Sequence, residues 1–404
     1  MFDITQIRAD FPIFQQPVNG KRNAFLDTAA SAQKPQIVLD KMRDVYLKHY
    51  ANVHRGSYQL SDEITALYED ARQTVQAFIS AAQAEEVIFT RNATEAINLV
   101  AATWGAANLK KNDEVLISEA EHHANMVPWQ ALSQKIGFKL KYFELDADGS
   151  FNMEKFEQGL SPKTKLVAVT AMSNVLGTIF PIREIGQKAH KTGALVLVDA
   201  AQYVVHHRVD VQDWNCDFLA FSGHKLYGPS GIGVLYGKYG LLAAMPPYQY
   251  GGDMIKSVSF HGSTYEVPPA RFEAGTPAFV QAIGLAEAIK YVQNIGHKAI
   301  TNHEQELIKD TIEKLWSIPG LTLIGTAPDR GGVFSFVLEG IHPQDVSFVL
   351  DKEGVSVRTG HHCAEPLVNK FGHQSLVRAS LGLYTDQEDI DQLYNALLKA
   401  KTFF

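Results

Sequence analysis

Residues 218–236 read FLAFSGHKLYGPSGIGVLY, in which two apolar runs, 218–221 and 233–236, flank a glycine-rich turn that carries Lys225. Runs as apolar as these are typical of strands that are buried on both faces of a sheet. Five similar runs precede them in the chain, at 87–90, 114–117, 139–143, 166–170 and 195–198. Because stretches with helical spacing separate the runs, we expect an α/β domain with a large, mostly parallel seven-stranded sheet.

The composition is ordinary for a soluble globular enzyme. The 404-residue chain is 46% hydrophobic and 20% charged, and its formal net charge of −7 argues against nucleic acid or an anionic membrane as a partner. No apolar stretch reaches the ~18–20 residues of a membrane helix, and residues 1–14 lack the pattern of a signal peptide. Two cysteines, Cys216 and Cys363, exclude a disulfide scaffold. We therefore expect a cytoplasmic protein.

Composition and spacing change after the sheet region. Residues 245–277 are rich in glycine, proline and aromatic residues, which favours a loop or hairpin. Residues 281–316 have the spacing of long helices, and the segments 333–338, 355–358 and 386–400 suggest a smaller α+β domain. We predict three parts: an N-terminal segment that packs on the small domain (1–20), a large cofactor-binding domain (21–290), and a small C-terminal domain with the Cys363 turn (291–404).

Polar side chains follow five of the predicted strands at the point where each strand ends. In an open α/β sheet, ligands bind at the carboxyl ends of the strands, so we expect these side chains to converge. In chain order they are Thr94, Glu95, His122, Asn174, Asp199, Gln202, Ser222, His224 and Lys225. Taken singly, Asp199, Ser222 and Thr94 could be helix caps, and Lys225 could be a solvated loop residue. Five such strand ends together favour a binding site.

This set of side chains suits a pyridine aldehyde phosphate, namely pyridoxal phosphate (PLP). A helix N-terminus, hydroxyl groups and an imidazole can bind the phosphate, through Thr94, Ser222 and His224. Asp199 can keep the pyridine nitrogen protonated, which makes the ring an electron sink. Lys225 is the only amine of the cluster and, when desolvated, can form a Schiff base with the aldehyde. His122 can stack on the ring and move protons.

The segment VSVRTGHHCAEPL (355–367) is a second candidate for chemistry. An arginine and two histidines precede Cys363, and cationic neighbours favour the reactive thiolate, so Cys363 is a candidate nucleophile. The alternative is a buried, inert thiol, which fits Cys216 far better. Arg378 can bind a substrate carboxylate with its planar fork, but a surface salt bridge explains it equally well.

Two other chemistries fit the pattern less well. The histidines at 122–123 and 361–362, with Cys363, offer nitrogen and sulfur ligands, but adjacent residues rarely reach one ion and the chain has no CxxC or HExxH spacing. We therefore expect no metal. A thiol hydrolase built on Cys363 would leave the strand-end cluster unexplained, and a scaffold that only binds a partner would not need both Asp199 and Lys225.

Several long motifs resemble one known family. They are FLDTAASAQKP (25–35), EHHANMVPW (121–129), SNVLGT (173–178), LVDAAQ (197–202), SGHKLYGPSGIGVLY (222–236), RFEAGTP (271–277) and RTGHHCAEPL (358–367). Together they are similar to the cysteine desulfurases of the class V aminotransferase fold and, within these, to the SufS-type (group II) branch. The resemblance covers nearly the whole chain. It implies a fold-type I PLP-dependent transferase, with a large sheet domain and a smaller α+β domain.

The resemblance also implies a function. L-cysteine would give L-alanine and a persulfide on Cys363, which passes to an acceptor protein for iron–sulfur cluster assembly. Lys225 would hold PLP, and His122 would stack on its ring. The other residues that would bind the cofactor are Thr94, Glu95, Asn174, Asp199, Gln202, Ser222, His224 and, from the other subunit of a homodimer, Thr276. Those that would bind or admit the substrate are Arg378, Arg358, Asn174, His54 and Arg55.

The short connection RTGHHCAEPL implies a dedicated acceptor of the SufE or SufU type that comes to Cys363. The alternatives on the same fold are a selenocysteine lyase and a cysteine-sulfinate desulfinase, in which the leaving group departs without Cys363. The chain differs from the family pattern at Ala200, Tyr203 and 278–281. These differences concern packing near the cofactor and dimer contacts near Thr276.

Overall fold

The computed structural model describes residues 2–404 of the chain. Its strands form one large sheet and three smaller ones. In chain order the strands are β1 (Ala24–Phe25), β2 (Val87–Thr90), β3 (Glu114–Ser118), β4 (Lys139–Phe143), β5 (Thr164–Thr170), β6 (Leu195–Asp199), β7 (Phe218–Ser222), β8 (Gly233–Gly237), β9 (Ile255–Ser259), β10 (Gly262–Tyr265), β11 (Leu321–Ile324), β12 (Val333–Leu338), β13 (Val355–Ser356), β14 (Arg358–Gly360) and β15 (Leu376–Ser380).

The helices lie between these strands and at both ends of the chain. They are α1 (Ile4–Ala9), α2 (Gln36–Asp44), α3 (Gln59–Phe78), α4 (Ala93–Val100), α5 (Ala106–Asn108), α6 (Val127–Ile136), α7 (Met153–Gly159), α8 (Ile182–Lys191), α9 (Tyr203–His206), α10 (Val211–Trp214), α11 (Tyr239–Ala244), α12 (Phe279–Ile295), α13 (His297–Ser317), α14 (Pro343–Lys352), α15 (Glu365–Lys370) and α16 (Gln387–Phe403). Two π-helical segments, Val45–His49 and Ala101–Gly105, extend α2 and α4. Within residues 2–404, no helix is both long and apolar enough to cross a membrane.

The large sheet has the strand order β2-β8-β7-β6-β5-β3-β4. Strands β3 to β7 run parallel to one another, whereas β8 is antiparallel to both of its neighbours, β2 and β7. Parallel neighbours need a long crossover connection, but β8 follows β7 after a turn and so returns in the opposite direction. The prediction of a seven-stranded, mostly parallel sheet is confirmed.

The inner strands of this sheet are buried on both faces. In β6, Val196 and Val198 enter one core cluster and Leu197 enters another, because successive side chains of a strand point to opposite faces. The run 139–143 differs, since β4 lies at the sheet edge and only its last residue, Phe143, is buried. The expectation of burial on both faces is wrong for this run, because the helices that cover the sheet do not fully cover a strand at its edge.

The four-stranded sheet near the C-terminus is antiparallel, in the order β11-β12-β15-β14. The short strand β1 pairs in parallel with β13, and Asp27 forms a bridge with Ser380. From α1, Arg8 donates hydrogen bonds to the carbonyl of Tyr384 and to the carboxylate of Asp389. Residues near the N-terminus therefore contact the C-terminal layer. The division at residues 20 and 290 stays a prediction.

The segment 245–277, expected to be a loop or hairpin, contains the hairpin of β9 and β10. The side chains of the two hairpin strands are almost all exposed, and Phe260, at the tip of the hairpin, is fully exposed. The helices expected over 281–316 are α12 and α13, which are separated at Gly296.

Candidate active site

Lys225 lies in a tight turn, Gly223–Lys225, that directly follows β7. The turn needs glycine at its start, because a Cβ atom on Gly223 would lie 2.7 Å from Ile232 Cγ2. Lys225 lines a cavity of about 290 Å³. Burial lowers the pKa of the Lys225 amine to about 8, although the nearby Asp199 carboxylate opposes the shift. A substantial fraction of the amine is therefore neutral near pH 8.

The same cavity brings together most of the residues predicted from the sequence. They are Thr94, His122, Asn174, Asp199, Gln202, Ser222, His224, Lys225, Arg358, Cys363 and Arg378. The structure places the other predicted residues elsewhere: Glu95 and Thr276 line a neighbouring cavity, and His54 and Arg55 line a third one. A larger cavity of about 820 Å³ beside Trp316 holds none of the predicted residues.

Asp199 and Gln202 form a polar wall of the cavity. Asp199 Oδ1 accepts a hydrogen bond from Ala201 N at 3.0 Å. Burial raises the pKa of Asp199, while this hydrogen bond and Lys225 limit the rise. Gln202 Nε2 donates to the carbonyl of Ala29 at 2.8 Å, but its buried Oε1 has no partner among residues 2–404. Such an oxygen is available to a ligand.

The first turn of α4 forms another wall. Asn92 caps this helix through its side chain, and Ser222 Oγ accepts a hydrogen bond from Ala93 N at 2.9 Å, which ties the end of β7 to the start of α4. Thr94 follows in the same turn. Burial, reinforced by Lys225, lowers the pKa of His224 to about 4, so its ring is neutral at pH 7. This arrangement offers donors to an anion.

His122 has a defined tautomer. Its Nδ1 accepts a hydrogen bond from Ala124 N at 3.0 Å, and burial, followed by the charge of Lys225, lowers its pKa to about 3. The ring is therefore neutral, and its proton resides on Nε2. The preceding residue, Glu121, is fully buried, and burial raises its pKa to about 8 although three donors oppose the shift.

Cys363 lies at the rim of the cavity and is exposed. The turn that carries it has positive φ angles at His362 (52°) and Cys363 (55°). Two long-range hydrogen bonds hold this turn: His123 N donates to Cys363 O at 2.7 Å, and Asn174 Nδ2 donates to His362 O at 2.8 Å. Cys216 is fully buried, and burial raises the pKa of its thiol, as the inert interpretation expects.

Arg378 is buried, so the interpretation of Arg378 as a surface salt bridge is wrong. Its NH1 donates to Asn174 O at 3.0 Å and its NH2 to Asp27 Oδ1 at 3.3 Å, while its buried Nε has no partner among the described residues. Burial lowers the pKa of Arg378 to about 10, and Asp27 opposes this. Arg358, at the rim, binds the same Asp27 carboxylate at 3.0 to 3.2 Å.

Asp27 and Lys34 are site residues that were not singled out from the sequence. Asp27 joins the two arginines. Lys34 Nζ donates to the carbonyl of His224 at 2.9 Å and so holds the turn of Lys225. Both residues lie within the motif FLDTAASAQKP, but no periodicity or spacing connects this motif with strands far along the chain.

The residues that differ from the family pattern range from buried, as at Ala200, to exposed, as at Ala278. Ala200 is fully buried. The part-buried Tyr203 ring packs edge-on against Trp214, with ring centroids 5.0 Å apart, and at a tilt against His207, with centroids 4.8 Å apart. In the stretch 278–281, two residues are buried where α12 begins.

The residues present fit PLP. The residues that line the cavity supply an amine, a buried carboxylate and a helix N-terminus with hydroxyl groups. They also supply buried polar atoms that have no partner among residues 2–404, including Gln202 Oε1 and Arg378 Nε. A ligand with a carbonyl group, a ring nitrogen and an anionic group, together with a substrate carboxylate, would satisfy these groups.

Comparison with known proteins gives a consistent result. Residues 24–393 match the family model described as aminotransferase class-V. The chain is 51% identical over 397 residues to a protein of Dickeya dadantii named cysteine desulfurase, covering 98% of this chain and 96% of that protein. It is 48% identical over 401 residues to a cysteine desulfurase of Synechococcus elongatus, covering 99% of this chain but 64% of that protein. The chain thus spans slightly under two thirds of this second relative.

Among solved structures, the chain is similar to the cysteine desulfurase CsdA of Escherichia coli, crystallised in an S-sulfonic acid form. The two share 36% sequence identity with a TM-score of 0.93, and the match covers 100% of both chains.

Proposed function

The chain belongs to the cysteine desulfurases of the aminotransferase class-V family, with pyridoxal phosphate as cofactor, and from this premise we propose how its residues act. L-cysteine yields L-alanine, and its sulfur remains on Cys363 as a persulfide. One observation carries the proposal: Cys363 and Lys225 lie in distant segments but line one cavity.

Each wall of the cavity would hold one part of PLP. Lys225 would bond to its aldehyde carbon, Asp199 and Gln202 would hold the ring, and the first turn of α4, with Ser222 and His224, would hold the phosphate. When bound, PLP withdraws electrons from the α-carbon of the substrate. Arg378 binds the substrate carboxylate through the side of its guanidinium group that carries the unpaired Nε.

Lys225 and Cys363 divide the chemistry. The Lys225 amine, whose pKa of about 8 leaves part of it neutral, accepts the α-proton at Nζ. The Cys363 sulfur then forms an S–S bond with the substrate sulfur as the substrate's Cβ–S bond breaks. The electrons of the broken bond stay with the carbon, and two protons complete alanine. Lys225 returns the α-proton, and the proton that Cys363 loses on forming the S–S bond supplies the second, relayed by His122 Nε2.

A mass spectrum of Cys363 tests this proposal. After incubation of the holoprotein with L-cysteine, we expect Cys363 to gain the mass of one sulfur atom and Cys216 to stay unmodified. Cys363→Ala should keep the absorbance of the cofactor but lose roughly 100-fold or more of its alanine formation from cysteine, and Cys216→Ala serves as the matched control. Full cysteine turnover by Cys363→Ala would contradict the role of Cys363.

The same variant assayed on selenocysteine and cysteine sulfinate distinguishes a lyase or desulfinase, which does not need this thiol.

We also propose that the persulfide passes to an acceptor protein of the SufE or SufU type for iron–sulfur cluster assembly, as expected of the SufS-type branch. The connection between β14 and α15 is short, so Cys363 stays at the rim of the cavity and cannot carry the sulfur outwards. An acceptor protein must therefore come to Cys363. Loss of the added sulfur mass when such an acceptor is supplied would support the transfer, and an unchanged mass would contradict it.

We further propose a cytoplasmic homodimer in which Thr276 of one subunit completes the phosphate site of the other. Exposed apolar side chains support an interface between subunits: Tyr46, Leu47, Tyr50 and, at the hairpin tip, Phe260. Sedimentation should then give the mass of two chains, whereas a monomer with full activity would contradict the shared site.

A further inference from the structure

His123, His361 and Glu365 form a cluster beside Cys363. Their potential ligand atoms lie within 4.8 Å of one another, and the rings of His123 and His361 have centroids 5.9 Å apart. His361 and Glu365 are exposed and His123 is half-buried, so an ion can enter from solvent. All three side chains lie outside the cavity around Lys225.

Two imidazoles and one carboxylate are a donor set that Zn²⁺ accepts, with water at the fourth position. Zinc bonds of about 2.0–2.2 Å place donor atoms roughly 3.3–3.5 Å apart, so the side chains must approach by at most about 1.5 Å. The exposed side chains of His361 and Glu365 can rotate to do so. His123 Nε2 accepts a hydrogen bond from Glu365 N at 3.1 Å, so its lone pair already faces this segment, and an ion would replace that N–H.

We propose that His123, His361 and Glu365 bind Zn²⁺, and that the bound ion slows sulfur transfer by fixing the turn of Cys363. His361 precedes the nucleophile and Glu365 follows it, so an ion bound to both spans Cys363. His123 also holds Cys363 O through its backbone N–H. The nucleophile must reach the substrate sulfur and then an acceptor, and a bridged turn restricts both movements. The histidine pairs at 122–123 and 361–362 led to the expectation of no metal, because their spacing does not show that one histidine of each pair lies beside Glu365.

A titration of the holoprotein with Zn²⁺ after chelator treatment tests the site. The Cys363→Ser protein serves as the parent, because it removes the exposed thiol as a competing ligand. We expect calorimetry to give about one Zn²⁺ per chain. Adding His361→Ala or Glu365→Gln should weaken binding roughly tenfold or more, while adding His261→Ala, in the exposed hairpin, should not. X-ray absorption at the zinc edge should show imidazole ligands. Absent binding, or equal binding by all variants, would overturn the site.

The inhibitory effect rests on the proposed desulfurase function and needs its own assay. Zn²⁺ should inhibit alanine formation by the wild-type protein, and His361→Ala should need roughly tenfold more zinc for the same inhibition. Equal inhibition of both proteins would overturn the proposed effect of zinc on Cys363 but would not contradict the zinc site itself. A protein without desulfurase activity would refute the proposed function, and the calorimetric result would still decide the zinc site.

Discussion

The backbone N–H of His123 donates a hydrogen bond of 2.7 Å to the carbonyl oxygen of Cys363. This bond joins the segment after β3 to the turn that carries the nucleophile. The turn needs such support, because His362 and Cys363 both adopt positive φ angles, which cost a non-glycine residue about 1–2 kcal/mol. The position of Cys363 is therefore set by the strands that surround the cofactor cavity as well as by its own segment.

Lys225→Ala should abolish both cofactor attachment and turnover. Lys225 supplies an amine whose burial lowers its pKa to about 8, and alanine cannot replace it. We expect the visible absorbance of the purified protein to disappear and alanine formation to fall roughly 1000-fold or more. Lys238→Ala, which removes a part-exposed amine paired with Asp217 at 2.8 Å, is the control and should keep both. A yellow and active Lys225→Ala protein would exclude the assignment.

Asp27→Asn should impair substrate binding more than the chemical steps. Asp27 holds Arg378 at 3.3 Å and Arg358 at 3.0 Å, so its loss leaves both guanidinium groups less well oriented for a carboxylate. We expect KM for L-cysteine to rise roughly tenfold, with unchanged cofactor absorbance. Asp213→Asn breaks an exposed ion pair with Arg183 and should leave KM unchanged. Equal KM values for the two variants would show that Asp27 has no positioning role.

Gly177→Ala should destabilise the protein by about 2 kcal/mol. Gly177 has a φ of 74°, and a Cβ atom there would lie 2.9 Å from Gly331 O and 3.0 Å from Val333 O. A Cβ atom on Gly240, within α11, would lie in open space, so Gly240→Ala should be neutral or stabilise by about 0.5–1 kcal/mol. Urea unfolding measures both changes, and a Gly177→Ala protein as stable as Gly240→Ala would refute the steric argument.

His207 should make the protein sensitive to acid. Burial, reinforced by His206, lowers its pKa to about 4, whereas a histidine in the unfolded chain titrates near 6.5. Between these pH values the unfolded chain binds up to one more proton than the folded protein, so the free energy of unfolding decreases by up to about 1.4 kcal/mol for each unit by which the pH is lowered.

In His207→Gln, the loss of unfolding free energy between pH 7 and pH 5 should therefore be smaller by about 2 kcal/mol. Urea unfolding at the two pH values measures it. His261→Gln changes an exposed histidine in the hairpin and should behave like the wild type. If His207→Gln and the wild type lose the same free energy, His207 is not the residue responsible.

Much of the large sheet could be predicted from the sequence, because a strand that is buried on both faces leaves a local pattern, a short continuous apolar run. The runs 195–198 and 218–221 become strands that begin where expected and end one residue later, at Asp199 and Ser222. The reversed direction of β8 and the exposed edge position of β4 could not be predicted, since both depend on which strands become neighbours.

For the site, the sequence by itself determined the residues at the carboxyl ends of the strands, including Asp199 and Lys225, because parallel strands bring these ends to one edge of a sheet. Only the tertiary structure decided which distant segments complete the cavity. In the folded chain, Asp27 binds Arg358 and Arg378, and Cys363 accepts a hydrogen bond from His123. Glu95 lines a neighbouring cavity and not the cavity of Lys225, where it was expected. The physical reason is that periodicity records local burial, whereas contacts between distant segments arise from the packing of the whole chain.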